Sequence, residues 1–216
     1  VWVQPAPDTL WVDTTYLQVQ AHYNVRIYRE DMQAVCDSAH YNGRDSIATL
    51  CGDPVCWNEQ NQVSADTVTI YIKNGAVDHA IGMGNAFCVM NDTLGYFNQM
   101  SGKEIIAYLE DGEVKLIDMS GNALTIYYPK ESDGSFVGMN TTESSFIRVF
   151  VEQQEIQRMR FTKETTGILY PMDQIPEGGD RLSQFFWADE VRPRNPEDVF
   201  RDVRWQKEAT ILEENK

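Results

Sequence analysis

The sequence predicts an all-β protein in which hairpins stack into a curved or rolled antiparallel array. Three observations predict it. A short phrase, Gly then Asn or Asp followed by strand-forming residues, recurs along the chain. Asn-Gly and Asp-Gly pairs separate runs of alternating apolar and polar residues. No stretch from residue 10 to 170 carries sustained helical periodicity.

The clearest copy of the phrase is Gly121-Asn122-Ala123-Leu124-Thr125-Ile126-Tyr127. Gly84-Asn85-Ala86-Phe87-Cys88-Val89 and Gly52-Asp53-Pro54-Val55-Cys56-Trp57 repeat it, and Tyr23-Asn24-Val25-Arg26-Ile27-Tyr28 is a worn fourth. The shared Asn/Asp falls at positions 24, 53, 85 and 122. A period of roughly 30–40 residues marks one supersecondary unit per repeat, none able to bury its apolar face alone.

Taken in order, residues 1–8 are Pro-rich and expected to be irregular. Residues 10–29 then alternate as strands do. Residues 34–41 run into Asn42-Gly43-Arg44-Asp45 and residues 46–50 return. The same grammar recurs at 63–71 with Asn74-Gly75, at 103–108 with Asp111-Gly112, and around Asp133-Gly134 before 145–151 and 157–161. Asn-Gly and Asp-Gly favour tight hairpins because both central residues need φ > 0. Tight hairpins make neighbours antiparallel, which disfavours a one-way β-helix.

After Tyr170-Pro171 the grammar changes, so residues 1–170 are read as the repeat domain and 171–216 as a C-terminal cap or tail. Asn195-Pro196-Glu197-Asp198 supplies an N-cap, a Pro at the first helical position and acids in the first turn, predicting a short helix over about 196–205. Trp187, Phe200 and Trp205 give the tail apolar area with which to cover an end of the stack.

The chain has 18 Lys plus Arg against 33 Asp plus Glu, a net charge of −15. Most of that acidity precedes residue 180. Such a field disfavours nucleic acid and anionic membrane surfaces as partners. No apolar run is long enough to span a bilayer as a helix. A start at Val1 without Met, with a repeat already under way at residues 16–28, predicts a processed or shortened chain lacking rungs on its N-terminal side.

Catalytic motifs are missing: there is no G-x-S-x-G, H-E-x-x-H, Walker loop or G-x-G-x-x-G opening a helix. No C-x-x-C occurs among Cys36, Cys51, Cys56 and Cys88, and His is scarce, so neither a metal nor another cofactor is expected. If Gly43-Arg44 form a two-residue hairpin loop, Cys36 faces Cys51 within disulfide reach. Cys56 and Cys88 hold equivalent repeat positions and could stack in neighbouring rungs, or all four could be small buried apolar side chains. Asp37 and Asp66 also occupy matching positions. A glycosidase could use two such carboxylates, but an Asp at a fixed repeat position more often holds a bend through its side chain.

The informative surface is apolar. Behind the repeat Asn/Asp, one side-chain parity holds Val25, Ile27, Cys56, Ala86, Cys88 and Ala123. The other holds Val55, Trp57, Phe87, Val89, Leu124 and Ile126. A roll closing over such ladders encloses either a filled core or a long apolar slot.

The combination Gly-Asn-Ala, a polar stretch, then Val63-Ser64-Ala65-Asp66-Thr67-Val68-Thr69-Ile70-Tyr71 and an Asn-Gly turn resembles the OstA-like (LptA) family. Val25-Arg26-Ile27-Tyr28, Cys36-Asp37-Ser38, Ile168-Leu169-Tyr170-Pro171 and the stretch from Arg192-Pro193-Arg194 to Phe200 are similar to segments of its longer Gram-negative members. The likeness covers about residues 10–200. It implies a periplasmic, non-enzymatic protein folded as a twisted antiparallel β-jelly-roll with lipopolysaccharide acyl chains in its apolar interior. It also implies end-to-end β-strand addition to other proteins of the transport bridge or to itself. Val68, Ile70, Phe87, Ile105 and Leu124 are the expected groove lining. Tyr23 in place of Gly, and Pro54 and Cys56 in place of aliphatics, depart from the pattern. Two other readings stay open: a structural β-stack joining protein partners with no lipid, and a carbohydrate-active β-solenoid using Asp37 and Asp66.

Overall fold

The computed structural model describes residues 14–92 and 94–205; the irregular start expected at 1–8 lies outside the described residues. Among the described residues twelve strands form one antiparallel sheet: β1 Gln18–Tyr28, β2 Gln33–Asn42, β3 Ile47–Cys51, β4 Val55–Asn58, β5 Asn61–Ser64, β6 Thr67–Lys73, β7 Ala76–Asn91, β8 Phe97–Glu110, β9 Glu113–Tyr127, β10 Met139–Glu152, β11 Glu155–Thr162 and β12 Thr166–Tyr170. The sheet is folded lengthwise into a roll, as the alternation and turns predict.

Each long strand, or pair of short ones, bends at its middle. Residues 18–22, 38–42, 76–83, 104–110, 113–120 and 146–152 join β3, β6 and β11 in layer I. Residues 25–28, 33–35, 86–91, 97–101, 123–127 and 139–143 join β4, β5 and β12 in layer II. The layers face one another. Ala86, Cys88, Met100 and Ala123 of layer II pack with Ile105, Ile117, Met119 and Ile147 of layer I, and Ala34 and Cys36 pack with Leu50, Val68 and Ile70.

The repeated phrase is the bend. Gly52-Asp53, Gly84-Asn85 and Gly121-Asn122 all have positive φ at both residues, as do Tyr23 and Asn24 at 67° and 54°. Two consecutive left-handed residues rotate the strand out of one layer and into the other, a conformation that Gly, and next Asn or Asp, tolerate best. Space is as restrictive as dihedral angle. A Cβ on Gly84 would lie 2.2 Å from Asp66 Oδ2, and one on Gly52 would lie 2.5 Å from the Asp37 Cβ.

The hairpins follow the predicted turns at Asn74-Gly75 and Asp111-Gly112, each with two positive φ values. The first hairpin does not. Asn42 pairs with Ile47, so the loop is Gly43 to Ser46 and Cys51 faces Ser38 rather than Cys36. The Asn42 carboxamide accepts from Arg44 N at 3.1 Å and donates to Asp45 at 2.9 Å, while Ser46 supplies the positive φ. All four cysteines are free thiols. Cys56 and Cys88 share one row but are separated by Val63 of the intervening strand, so they do not stack on each other.

The segment from Pro171 to Trp205 crosses the outer face of layer II instead of covering an end of the roll. Phe186, Ala188 and Val191 pack with Val35, Val55, Trp57, Phe87 and Val89, whose parity points away from the interior. Three glutamines hold the tail. Gln33, Gln62 and Gln99 stand on alternate strands of one row, through Trp57 and Val89. Gln62 donates to Phe186 O at 2.9 Å and accepts from Ala188 N at 2.8 Å; Gln99 does the same with Asp180 O at 2.8 Å and Leu182 N at 2.9 Å. Gln33 accepts from Arg192 Nε at 2.8 Å. The expected helix shrinks to a 3-10 turn, Glu197–Phe200. Its cap forms, with Asp198 N donating to Asn195 Oδ1 at 2.9 Å. One turn is too short to sustain α-helix nucleation, and Trp205 Nε1 draws the chain back to Asp53 O at 2.7 Å.

Two measurements check this account. Gly84→Ala is expected to cost about 3 kcal/mol or more in urea unfolding, from backbone strain plus overlap with Asp66. Gly75→Ala, where a Cβ meets nothing within 4 Å, should cost only the left-handed strain of about 1–2 kcal/mol. Native-state hydrogen exchange tests the glutamines. Gln99→Leu should accelerate exchange at the Leu182 amide and spare Ala188, and Gln62→Leu the converse. Unchanged exchange in both would mean that apolar contact alone holds the tail.

Candidate functional site

A roll made by bending one sheet has two unlike long sides. Along the spine run the bends. Asp37 and Asp66 lie here, each against the glycine of the next bend, and the Asp66 carboxylate accepts from Asn85 Nδ2 at 3.0 and 3.2 Å. The Asp66 carboxylate thus braces its corner, and the Asp37 side chain packs into the corner at Gly52. Lys103 occupies the equivalent place beside Gly121.

Along the opposite side the hairpin turns of the two layers meet in a seam. Its first part is latched. Arg29, paired with Asp31 at 2.9 Å, donates to Gly75 O at 3.1 Å. Asn58 Nδ2 donates to Asp31 O at 2.7 Å and to Gly112 O at 2.9 Å, tying a layer II turn to a layer I turn. Its last part is open. There the β10–β11 turn, Gln153-Gln154, stands away from the ends of β7 and β9, leaving a cavity of about 670 Å³.

The cavity is polar at its rim and apolar at its floor. Carboxamides from Gln60, Asn61, Asn98, Gln153, Gln154 and Gln157 border it, with Met90 and Ile156 below. Lys130 on the rim is held by Asp92 at 2.5 Å and lies 5.4 Å from the Phe136 ring centroid. Burial, then the Glu155 charge, push the Tyr127 phenol up, so it stays protonated. Beneath the floor a void of about 10 Å³ continues inward between Cys88, Met100, Ile126 and Met159.

The predicted lining residues separate into three groups. Val68, Ile70 and Ile105 are in the interior at 1–2% exposure, two in one cluster and Ile105 in the other. Phe87 belongs to the outer face of layer II, 6.1 Å from the Phe186 ring under the tail. Leu124 is 36% exposed and has the outward parity. The interior around Val68, Ile70 and Ile105 is packed, and the 10 Å³ void is too small for a hydrocarbon chain. The residues that do border open space, Met90, Ile156 and Met159, lie near a turn without glycine, so no hairpin signal drew attention to them. Alternation identified the two faces but could not say which faced inward.

No family model matches the chain, and no curated protein matches it in sequence. A solved structure does match. It is LptH from Pseudomonas aeruginosa, described as the LptA-homologous periplasmic component of the conserved lipopolysaccharide transport device. The match covers 65% of this chain and 95% of that one, with a TM-score of 0.50 and 16% sequence identity. The fold is LptA-like. The likeness that the repeats suggest thus holds at the level of architecture: an all-β, twisted antiparallel roll. Among the described residues no helix is long and apolar enough to cross a membrane.

The interior thiols report on access from the mouth. Burial pushes Cys88 from 9.0 up to about 12, and burial followed by the neighbouring Cys51 and Asp37 charges pushes Cys36 to about 12. Their folded values lie above the unfolded one, so this stability is complete below the ordinary thiol range and is lost as pH rises toward 12. Alkylation of the native protein at pH 8 should leave Cys36 and Cys88 unmodified until denaturant is added. Labelling of Cys88 but not Cys36 in the native state would show that the open seam admits solutes to the interior.

Proposed function

We propose that this chain is a periplasmic module of lipopolysaccharide transport that takes acyl chains into the roll through the open part of the seam. The observation that carries the reading is the mouth: an LptA-like roll latched along one stretch of its seam and open along the next, where the floor is Met90 and Ile156. The packed interior means that chains enter only if the layers part. Cys88, Met90, Met100, Met119 and Met159 make that part of the core adaptable, since methionine repacks at small cost. Each methylene moved from water contributes about 0.8 kcal/mol, so a short length of chain offsets the screened repulsion of an acidic surface. Binding should depend little on salt.

The packed interior also supports a second reading, a structural β-stack without lipid. Among the described residues β1 pairs only with β2, and β11 and β12 pair only with β10, so both ends of the described sheet present strand edges. Leu17 and Val19, at 65% and 44% exposure, flank one of them. End-to-end strand addition by other bridge proteins or a second copy belongs to either reading.

Site-specific photocrosslinking in a lipopolysaccharide-producing host separates the two. Probes at Met90 and Met159 are expected to give lipopolysaccharide adducts, and one at Leu124, on the outer face, none. Absence of adducts at both interior positions, with the fold intact by circular dichroism, would leave the structural stack. Ile105→Glu is a poorer test, because a charge at a packed site unfolds the protein under either reading.

A further inference from the structure

We propose that the outer face of layer I is a protein interface, on which two copies of this chain pack face to face about a two-fold axis. It uses the faces of strands rather than their edges and lies clear of the mouth, so it stands apart from the lipid reading and from end-to-end strand addition. Three features carry it. The first is an uncovered apolar row. Ile47, Tyr71, His79, Tyr108, Leu116 and Phe150 pair one with the next across six strands, with the parity opposite to Ile70, Ile105 and Ile117 of the interior. On layer II the outward parity is buried under the tail. Here, among the described residues, none of the six belongs to an apolar cluster. The Tyr71, His79 and Tyr108 rings stack at 4.2 and 5.9 Å between centroids, which makes a fixed ridge of them. Ile81 and Ile106 stand opposite one another in the next row, and Met83 in the row beyond is 50% exposed.

The second feature is charge. The chain carries a net −15, yet the rows of Tyr71, Ile81 and Met83 hold Glu104 and Asp118 against Arg148, Arg158 and Arg160. Asp118 is itself engaged by Arg148, at 2.6 Å. A two-fold axis parallel to the strands, between β7 and β8, sets Ile81 on Ile106 of the second copy and Ile47 on its Phe150. It also sets Arg158 and Arg160 over β2 of that copy, where Lys and Arg are missing. Like charges stay apart, so a second copy of this acidic chain approaches here at low electrostatic cost. The third is size. Six strands about 4.8 Å apart, with about five residues each at about 3.3 Å, make a face of roughly 29 by 16 Å, so two copies bury on the order of 1,000 Å². That suffices for a specific dimer of modest affinity, with the sheets aligned to within about 30°.

Sedimentation equilibrium of the full chain tests this from about 5 to about 500 µM, the range in which an interface of this size is populated. A monomer–dimer equilibrium is expected. Ile81→Lys combined with Ile106→Lys sets lysine against lysine across the axis and should weaken it about ten-fold or more. Val19→Lys, at the β1 edge, should leave it unchanged. Met83→Glu, at a 50% exposed position that meets Glu104 of the second copy, should weaken it too, and it decides where circular dichroism shows the double substitution to disturb the fold. A monomer at every concentration overturns the interface. So does a dimer that survives the layer I substitutions. Loss of the dimer with Val19→Lys alone assigns the association to strand addition, which overturns the face and leaves that reading intact.

Discussion

Everything in this molecule depends on bending a strand without breaking its ladder. A flat sheet of twelve strands would leave both faces wet. Bending each strand at its middle lets one sheet supply two facing layers, and hence a core, from hairpins alone. The bend needs two successive residues in the left-handed region and a neighbour close enough to fill the corner. That requirement explains why Gly precedes Asn or Asp in three copies and why an Asp or Lys side chain lies against the glycine. Where the first copy has Tyr23, a positive φ of 67° is held by a residue that disfavours it, and Tyr23 is left 86% exposed.

The spine formed by these bends is continuous, whereas the seam across from it is not. Arg29 and Asn58 bind opposing turns through backbone carbonyls, so that closure depends on two side chains rather than on strand pairing. Beyond them the layers splay. The asymmetry gives the roll a direction, closed where the first strands pair and accessible where the last ones do. A long, uniformly open groove would expose far more apolar surface than a monomer keeps in water.

Most of the architecture was legible because the repeat is a corner and the corner has a strong chemical signature. Val68, Ile70, Phe87, Ile105 and Leu124 were expected together as a groove lining, but period two is symmetric and could not assign inside and outside. Phe87 and Leu124 went to the wrong face for that reason. Only the tail breaks the symmetry, by covering one side of layer II, and its sequence gives no hint of which strand residues it will meet. Local signals also misled where they were weak. Gly43 is present because its backbone N–H reaches Leu17 O at 2.8 Å, with no room for a Cβ, not because it turns the hairpin. The turn at Gln153-Gln154 and the bend at Lys163-Glu164 adopt positive φ without any glycine to announce them.

The tail's path across the strands has a consequence for how the molecule comes apart. Stacked repeats touch only their neighbours, so an array of them can lose rungs from either end while the middle persists. Here an extended segment fastened at Gln33, Gln62 and Gln99 runs along that stacking, across the strands of several rungs. Asn24 at the first strand reaches its far end at Val203 O, at 3.1 Å. Fraying of one end therefore requires the segment to lift from rungs that are still intact. The tail converts a one-dimensional chain of local equilibria into a unit that melts together.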